Sequence, residues 1–192
     1  MKRIIALLLC LITVFALASC GEEKNNDNTD ETTVEETKAS VADVAPTEIM
    51  DAIVAAYTDI PDYKKLYING VDDLDDGYLE PEYAGFLYKG EFETLAELSM
   101  VDSYAIRLPE GKSAFELHIM KLIDKKDVDA VKAVMQKRIE QLNEGDIALY
   151  DPEGFAKIIK NAEVYSVENY VFLLITSDND VAKGAIKTIL GM

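Results

Sequence analysis

The run Asp72-Asp73-Leu74-Asp75-Asp76-Gly77, with Glu80 and Glu82 close behind, is the densest carboxylate group in the folded part of the chain. Clustered carboxylates are hard oxygen ligands, and calcium is the cation they suit. An EF-hand register beginning at Asp72 puts Gly77 at the required sixth position. It also puts Leu74 at the third and Tyr83 at the twelfth, where a ligating oxygen and a glutamate are needed. The cluster therefore reads first as solvated acidic turns, with weak calcium capture or carboxylate catalysis as the functional alternatives. Tyr57, Tyr63, Tyr67, Tyr78, Tyr83 and Tyr88 fall in the same stretch as Phe86 and Phe92. Tyrosines on irregular segments are favoured at contact surfaces, and the same rings also serve to seal a core. Asp72, Asp73, Asp75, Asp76, Tyr78 and Tyr83 are accordingly the candidate binding surface.

Other reactive groups are sparse. His118 is the single histidine, which rules out paired-histidine and His-Cys zinc sites. It shares a strand face with Glu116 and Met120, where a cross-strand structural role is the first reading. No serine sits in a G-x-S-x-G or S-x-x-K setting, and Gly111-Lys112 lacks the spacing of a phosphate loop. Arg138 falls seven residues after Val131, beside the buried stripe of a helix. Its guanidinium would either pin the loop near Tyr150-Asp151 or hold an anion. No residue set reads as a catalytic centre, a metal site or a cofactor site.

The two cysteines are Cys10 and Cys20. Met1-Lys2-Arg3 is followed by an uncharged apolar stretch from Ile4 to Ala18 and then Ser19-Cys20-Gly21. That is the layout of a secretory signal over residues 1–19, shorter than the ~20 apolar residues a bilayer-spanning helix needs. Leu17-Ala18-Ser19-Cys20 resembles the lipobox of bacterial lipoproteins, in which the Cys20 thiol is acylated and becomes the new N-terminus. Two or more chains hold such a protein stably on a membrane. From residue 20 to 45 the sequence is Glu, Asp, Asn, Thr and Lys with little to bury, so it reads as a disordered acidic tether. The expected location is the extracytoplasmic face of the cell membrane, reached through the lipid on Cys20.

The remaining residues, 46–192, suffice for one domain. The chain carries 36 acidic against 19 basic residues, a formal charge of −17, and losing Lys2 and Arg3 with the signal would deepen it. Nucleic acid, which needs a basic footprint, is not an expected partner.

Helical spacing runs from Pro46 through Ile49, Ile53 and Tyr57. Residues 62–98 are broken by Gly70, Gly77, Pro81, Gly85 and Gly90 and suggest short helical turns alone. Val101–Leu108 and Ala114–Ile123 read as a hairpin. Asp124 is placed to cap a helix carrying Val128, Val131, Met135, Ile139 and Leu142, with Asp127 in the position of a capping-box acid. A short helix should follow Asp151-Pro152. Glu163–Val167 and Tyr170–Thr176 make a second hairpin whose last strand is apolar on both faces and should be central. Ser177-Asp178 caps a final helix. The expected fold class is α+β: a single domain with an antiparallel sheet built from two hairpins and helices packed on one face.

Lys137-Arg138-Ile139-Glu140, Tyr150-Asp151-Pro152-Glu153, Ala162-Glu163-Val164, Asn169-Tyr170-Val171 and Thr176-Ser177-Asp178 together resemble the family called domain of unknown function 4358. The resemblance would run from near Pro46 to Leu190 and implies an exported lipoprotein of Gram-positive, clostridial-type bacteria. It implies no activity. Glu168-Asn169 stands where that family has a glycine-containing turn, a place Asn can fill because it tolerates positive φ. The functional expectation is a non-enzymatic binding or assembly module of the cell envelope with an envelope protein as partner. A carboxylate-dependent hydrolase and a solute- or cation-binding lipoprotein are the alternatives.

Overall fold

The computed structural model describes residues 41–70, 75–90, 98–110, 115–144, 156 and 159–192. Residues 1–40, which hold the expected signal, Cys20 and most of the expected tether, lie outside them. The described residues fall in one compact unit with four helices and five strands. In chain order these are α1 (Pro46–Ala55), β1 (Tyr63–Ile68), α2 (Pro81–Leu87), β2 (Val101–Pro109), β3 (Glu116–Leu122), α3 (Val128–Glu144), β4 (Glu163–Val167), β5 (Tyr170–Ile175) and α4 (Asn179–Ile189). All strand pairs are antiparallel, in the order β1-β2-β3-β5-β4. The α+β class and both expected hairpins are present.

β5 reads Tyr-Val-Phe-Leu-Leu-Ile and is buried at every position, and β3 is buried at all but Lys121. Strands apolar on both faces need cover on both, so the sheet does not carry its helices on one face as the sequence suggested. Met120, Leu122, Val171, Leu173 and Ile175 pack beneath α2 and α3. Leu117, Ile119, Phe172 and Leu174 pack beneath α1 and α4. Each large apolar side chain so buried contributes about 1.5–3 kcal/mol, which a single layer of helices would forfeit over half the sheet.

In the 62–98 stretch, where only short helical turns were expected, α2 is such a short helix and β1 is an unexpected strand. β1 breaks simple alternation, with an irregularity in register between Tyr63 and Lys65 and two lysines at its start. Its pairing with β2 alone makes it an edge strand, where exposed lysines are tolerated. α2 begins at Pro81, as α1 begins at Pro46, because proline's fixed φ and missing N–H suit the first helical turn. The short helix expected after Asp151-Pro152 falls largely outside the described residues.

The helix starts also differ in detail. Asp124 accepts from the Lys126 amide at 3.0 Å and caps a short 3-10 turn over Lys125–Asp127, so Asp127 sits within that turn. α3 follows directly. At the β4–β5 turn the positive φ falls on Glu168 (50°) and not on Asn169. Asn169 is engaged elsewhere: its amide donates to Leu122 O and its carbonyl accepts from Leu122 N, both at 2.7 Å.

The folded domain also begins before Pro46. Ala42 N donates to Leu190 O at 3.0 Å, Val44 N donates to the Tyr170 hydroxyl at 2.9 Å, and Lys121 pairs with Asp43 at 2.8 Å. Val41 and Val44 pack against the α1–α4 side. Residues 41–45, expected to belong to a tether, are thus part of the domain.

Two-sided packing makes both helical layers essential. Ile53→Ala on α1 and Met135→Ala on α3 should each lower the unfolding free energy by about 2–5 kcal/mol in denaturant titrations of the full-length chain. A cost confined to Met135→Ala would contradict the second layer.

Candidate functional site

Two places gather polar groups. The first lies inside the fold, between the sheet and the α2–α3 layer. Period-two alternation on β3 puts Glu116 and His118 on the same face, at 2% and 0% exposure. Arg138 reaches down from α3 and grips Glu116 with both arms of its fork, Nε to Oε1 at 2.8 Å and Nη2 to Oε2 at 2.9 Å. His118 Nε2 lies 2.7 Å from Glu116 Oε1, and Nδ1 lies 2.5 Å from the hydroxyl of Tyr88, which follows α2. Arg138 Nη1 donates to Gln141 Oε1, whose Nε2 donates to Phe86 O, both at 2.8 Å. The chain of bonds closes on α2 at both ends.

Burial alone would raise the Glu116 carboxyl, but the Arg138 charge and the His118 hydrogen bond outweigh it and hold the group down to about 2. An ionised Glu116 accepts, so His118 Nε2–H donates to it, Nδ1 is the acceptor, and Tyr88 O–H donates. Burial lowers the His118 pKa, keeping the ring neutral, and raises that of Tyr88 well above its ordinary value. For Arg138 burial acts downward, and the Glu116 charge reverses it.

A hydroxyl, an imidazole and a carboxylate in line have the outline of a nucleophile relay. Tyr88 and His118 are each 0% exposed, however, and burial drives the hydroxyl away from ionisation. What the arrangement does is bolt α2 and α3 to the middle of the sheet. Arg138 thus pairs with Glu116; Tyr150 and Asp151, the loop it was expected to pin, lie outside the described residues. The partners of His118 are Glu116 and Tyr88, not side chains across the strands, where Ile106 and Leu173 face it.

The second place is open. A recess of about 490 Å³ beside β1 is lined by Lys65, Tyr67, Asp75, Asp76, Gly77, Tyr78, Glu80 and Tyr83, within the ~300–1,000 Å³ range of small-ligand sites. Four of the six residues proposed as a binding surface, Asp75, Asp76, Tyr78 and Tyr83, meet here; Asp72 and Asp73 lie outside the described residues. The rings of Tyr67 and Tyr83 are 5.6 Å apart and those of Tyr83 and Phe86 5.9 Å apart, a ladder that runs from buried Tyr67 to Phe86 at 63% exposure. Burial, with Tyr83 beside it, pushes the Tyr67 hydroxyl up to about 12. Lys65 pairs with Asp76 and holds its carboxyl below the usual range. Among the described residues, no group of three or more His, Cys, Asp or Glu is placed to hold a metal ion.

Tyr67 and Glu80, read in sequence with the tyrosine group and the acidic cluster, were left out of the candidate surface, and Lys65 was missed, because β1 and the approach to α2 carried no clear period. Sequence reasoning also missed the Tyr88 link. One signal for the buried network was present: Glu116 and His118 alternate with Leu117 and Ile119 on a strand that reads as interior, and buried charge demands a partner. Arg107 went unnoticed as well. It is 6% exposed, donates from Nη2 to Pro61 O at 2.7 Å, and has its guanidinium carbon 5.1 Å from the Tyr63 ring centre and 5.2 Å from that of Phe115.

Residues 96–176 match the family model described as domain of unknown function 4358. The match is narrower than the Pro46–Leu190 span the sequence suggested. It takes in β2 to β5, α3, Glu116, His118 and Arg138, and leaves β1, α2 and the recess outside. No curated protein and no solved structure matches the chain.

Removing one partner of a buried ion pair strands the other, so Arg138→Ala should cost about 3–5 kcal/mol of stability. Both Glu116 and His118 have folded pKa values below their unfolded ones. Their stabilisation is complete above the unfolded values and is lost on acidification, for His118 from 6.5 downward and for Glu116 between 4.5 and about 2. Urea unfolding across this range should show two stages of loss. His118→Asn should remove the upper stage and keep the lower; parallel profiles for variant and parent would contradict the assignment.

Proposed function

We propose, for a chain whose residues 96–176 carry domain of unknown function 4358, a lipid-anchored extracytoplasmic binding module of the bacterial cell envelope that takes its partner in the recess beside β1. The observation that carries the binding reading is the contrast between the two polar sites. The reactive-looking line of Tyr88, His118 and Glu116 is sealed and spent on joining elements. The open recess combines carboxylates with an aromatic ladder whose outer ring, Phe86, faces solvent. Exposed aromatics beside polar groups are the composition of a contact surface.

The envelope location rests on the charged, apolar and small-residue order of residues 1–19 and on Leu17-Ala18-Ser19-Cys20. No helix among the described residues is long and apolar enough to cross a membrane, and the lipid on Cys20 supplies the attachment in this reading. The acidic balance of 36 to 19 favours a basic partner and disfavours nucleic acid. A hydrolase built on the 72–82 carboxylates draws no comparable support. Asp76 is held low by Lys65, the reverse of what a general acid needs.

Two experiments test the reading. Cys20→Ser should release the protein from the membrane fraction and abolish incorporation of a fatty-acid label; unchanged membrane retention would contradict lipid anchoring. A photoreactive phenylalanine analogue replacing Tyr78 should give a discrete adduct in intact cells, while the same analogue replacing exposed Lys187 on α4 should not. Equal adducts from both positions, or none from Tyr78, would remove the recess as the contact surface.

A further inference from the structure

The open side of β1 narrows what kind of partner the recess takes. Asn69 N donates to Tyr104 O on β2, whereas Ile68 N points the other way and donates to Gly77 O at 3.1 Å. Amides alternate in direction along an antiparallel strand, so Leu66, two residues before Ile68, also presents its N–H and C=O outward. Among the described residues nothing pairs with them. A second recess of about 230 Å³ runs along this side, lined by Tyr63, Lys64, Lys65, Leu66, Ile68, Asp76 and Gly77. It shares Lys65, Asp76 and Gly77 with the larger one, so the two adjoin along the strand edge.

Unpaired strand groups are satisfied by another extended backbone, and side chains of an added strand alternate between the two faces of the sheet. On one face such side chains would meet Tyr67 and Tyr83, with Asp75, Asp76 and Glu80 around them and Lys65 the single opposing cation. Three carboxylates and two neighbouring phenol rings favour a cation. On the other face they would meet Leu66, which packs on the α1–α4 side, and Tyr63, whose ring lies over Arg107 and is 52% exposed. That face favours apolar groups. Lys64, Lys65 and the register irregularity beside them disfavour pairing with a second copy of the same edge.

We infer that β1 is a docking edge for an extended peptide segment in which Lys or Arg alternates with apolar residues, added to the sheet as a sixth strand. This rests on the recess being the contact surface and names the class of partner it takes. The basic side chains enter the recess between Tyr67, Tyr83 and the carboxylates. The apolar ones lie along Leu66 and Tyr63, and the peptide backbone pairs with Leu66.

The test uses the full-length protein in detergent and a short fluorescent peptide of alternating Lys and Val, followed by anisotropy. Saturable binding is expected, with a loss of about tenfold or more for Tyr83→Ala and for the Asp75→Asn, Glu80→Gln double variant. A peptide of alternating Glu and Val should not bind. N-methylation of the backbone amides of one parity should abolish binding, while methylation of the other parity should leave it. Equal binding by both methylated peptides would reduce the effect to charge attraction and overturn strand addition. Absence of saturable binding would overturn the inference as well. If the Tyr78 adduct still forms in cells in that case, the recess stands as a contact surface and only the peptide class falls; if neither appears, both fall.

Discussion

A carboxylate at 2% exposure in the middle of a five-stranded sheet is the constraint around which the α2–α3 side of this domain is arranged. Burying an unpaired charge is far more costly than a domain's net stability can bear. Glu116 is admitted because Arg138 meets both its oxygens with a two-armed grip and His118 donates to Oε1. Those two partners are fixed in turn by Gln141, which donates to Phe86 O of α2, and by Tyr88, the C-cap residue of α2. Meeting one charge therefore sets the positions of α2 and α3 relative to β3. Purely apolar packing would tolerate some sliding of those helices; a directional network does not.

That fixation matters for the open site. Tyr83 and Phe86 belong to α2, and Glu80 and Tyr78 lead into it. The bonds from Gln141 to Phe86 O and from Tyr88 to His118 hold the helix on which the aromatic ladder is mounted. The sealed polar line and the exposed recess are thus the two ends of one mechanical unit, and burying charge behind the recess preorganises the surface proposed for contact. On the opposite face the sheet is held by apolar contacts from α1 and α4 together with small clamps, among them Tyr57 to Thr176 at 2.9 Å and Thr176 to Asn179 at 2.7 Å.

Legibility in the sequence followed periodicity. The β2–β3 and β4–β5 hairpins, α3 and the final helix carried unbroken patterns and appear where the residues placed them. β1 did not, since Tyr63-Lys64-Lys65 interrupts alternation where the register itself is irregular. The number of helical layers was nonetheless written in β5, whose six buried residues require cover on both sides. Of the recess, the acidic and aromatic residues were visible as a composition. Their convergence with Tyr67 and Lys65 depends on β1 folding back beside residues 75–83, a long-range event that local pattern does not encode. The Tyr88–His118 contact spans 30 residues, and for the same reason nothing near either residue announces it.

A closed reactive-looking interior and a partner seated in the aromatic recess are the two halves of the proposal. Hydroxyl-radical footprinting, comparing purified full-length protein with intact cells and read residue by residue, addresses both halves at once. Tyr83 and Phe86 are expected to be oxidised in the purified protein and protected on cells, with Tyr88 unreactive in both. Oxidation of Tyr88 at a rate comparable to Phe86, or equal labelling of Tyr83 and Phe86 in the two settings, would contradict the proposal.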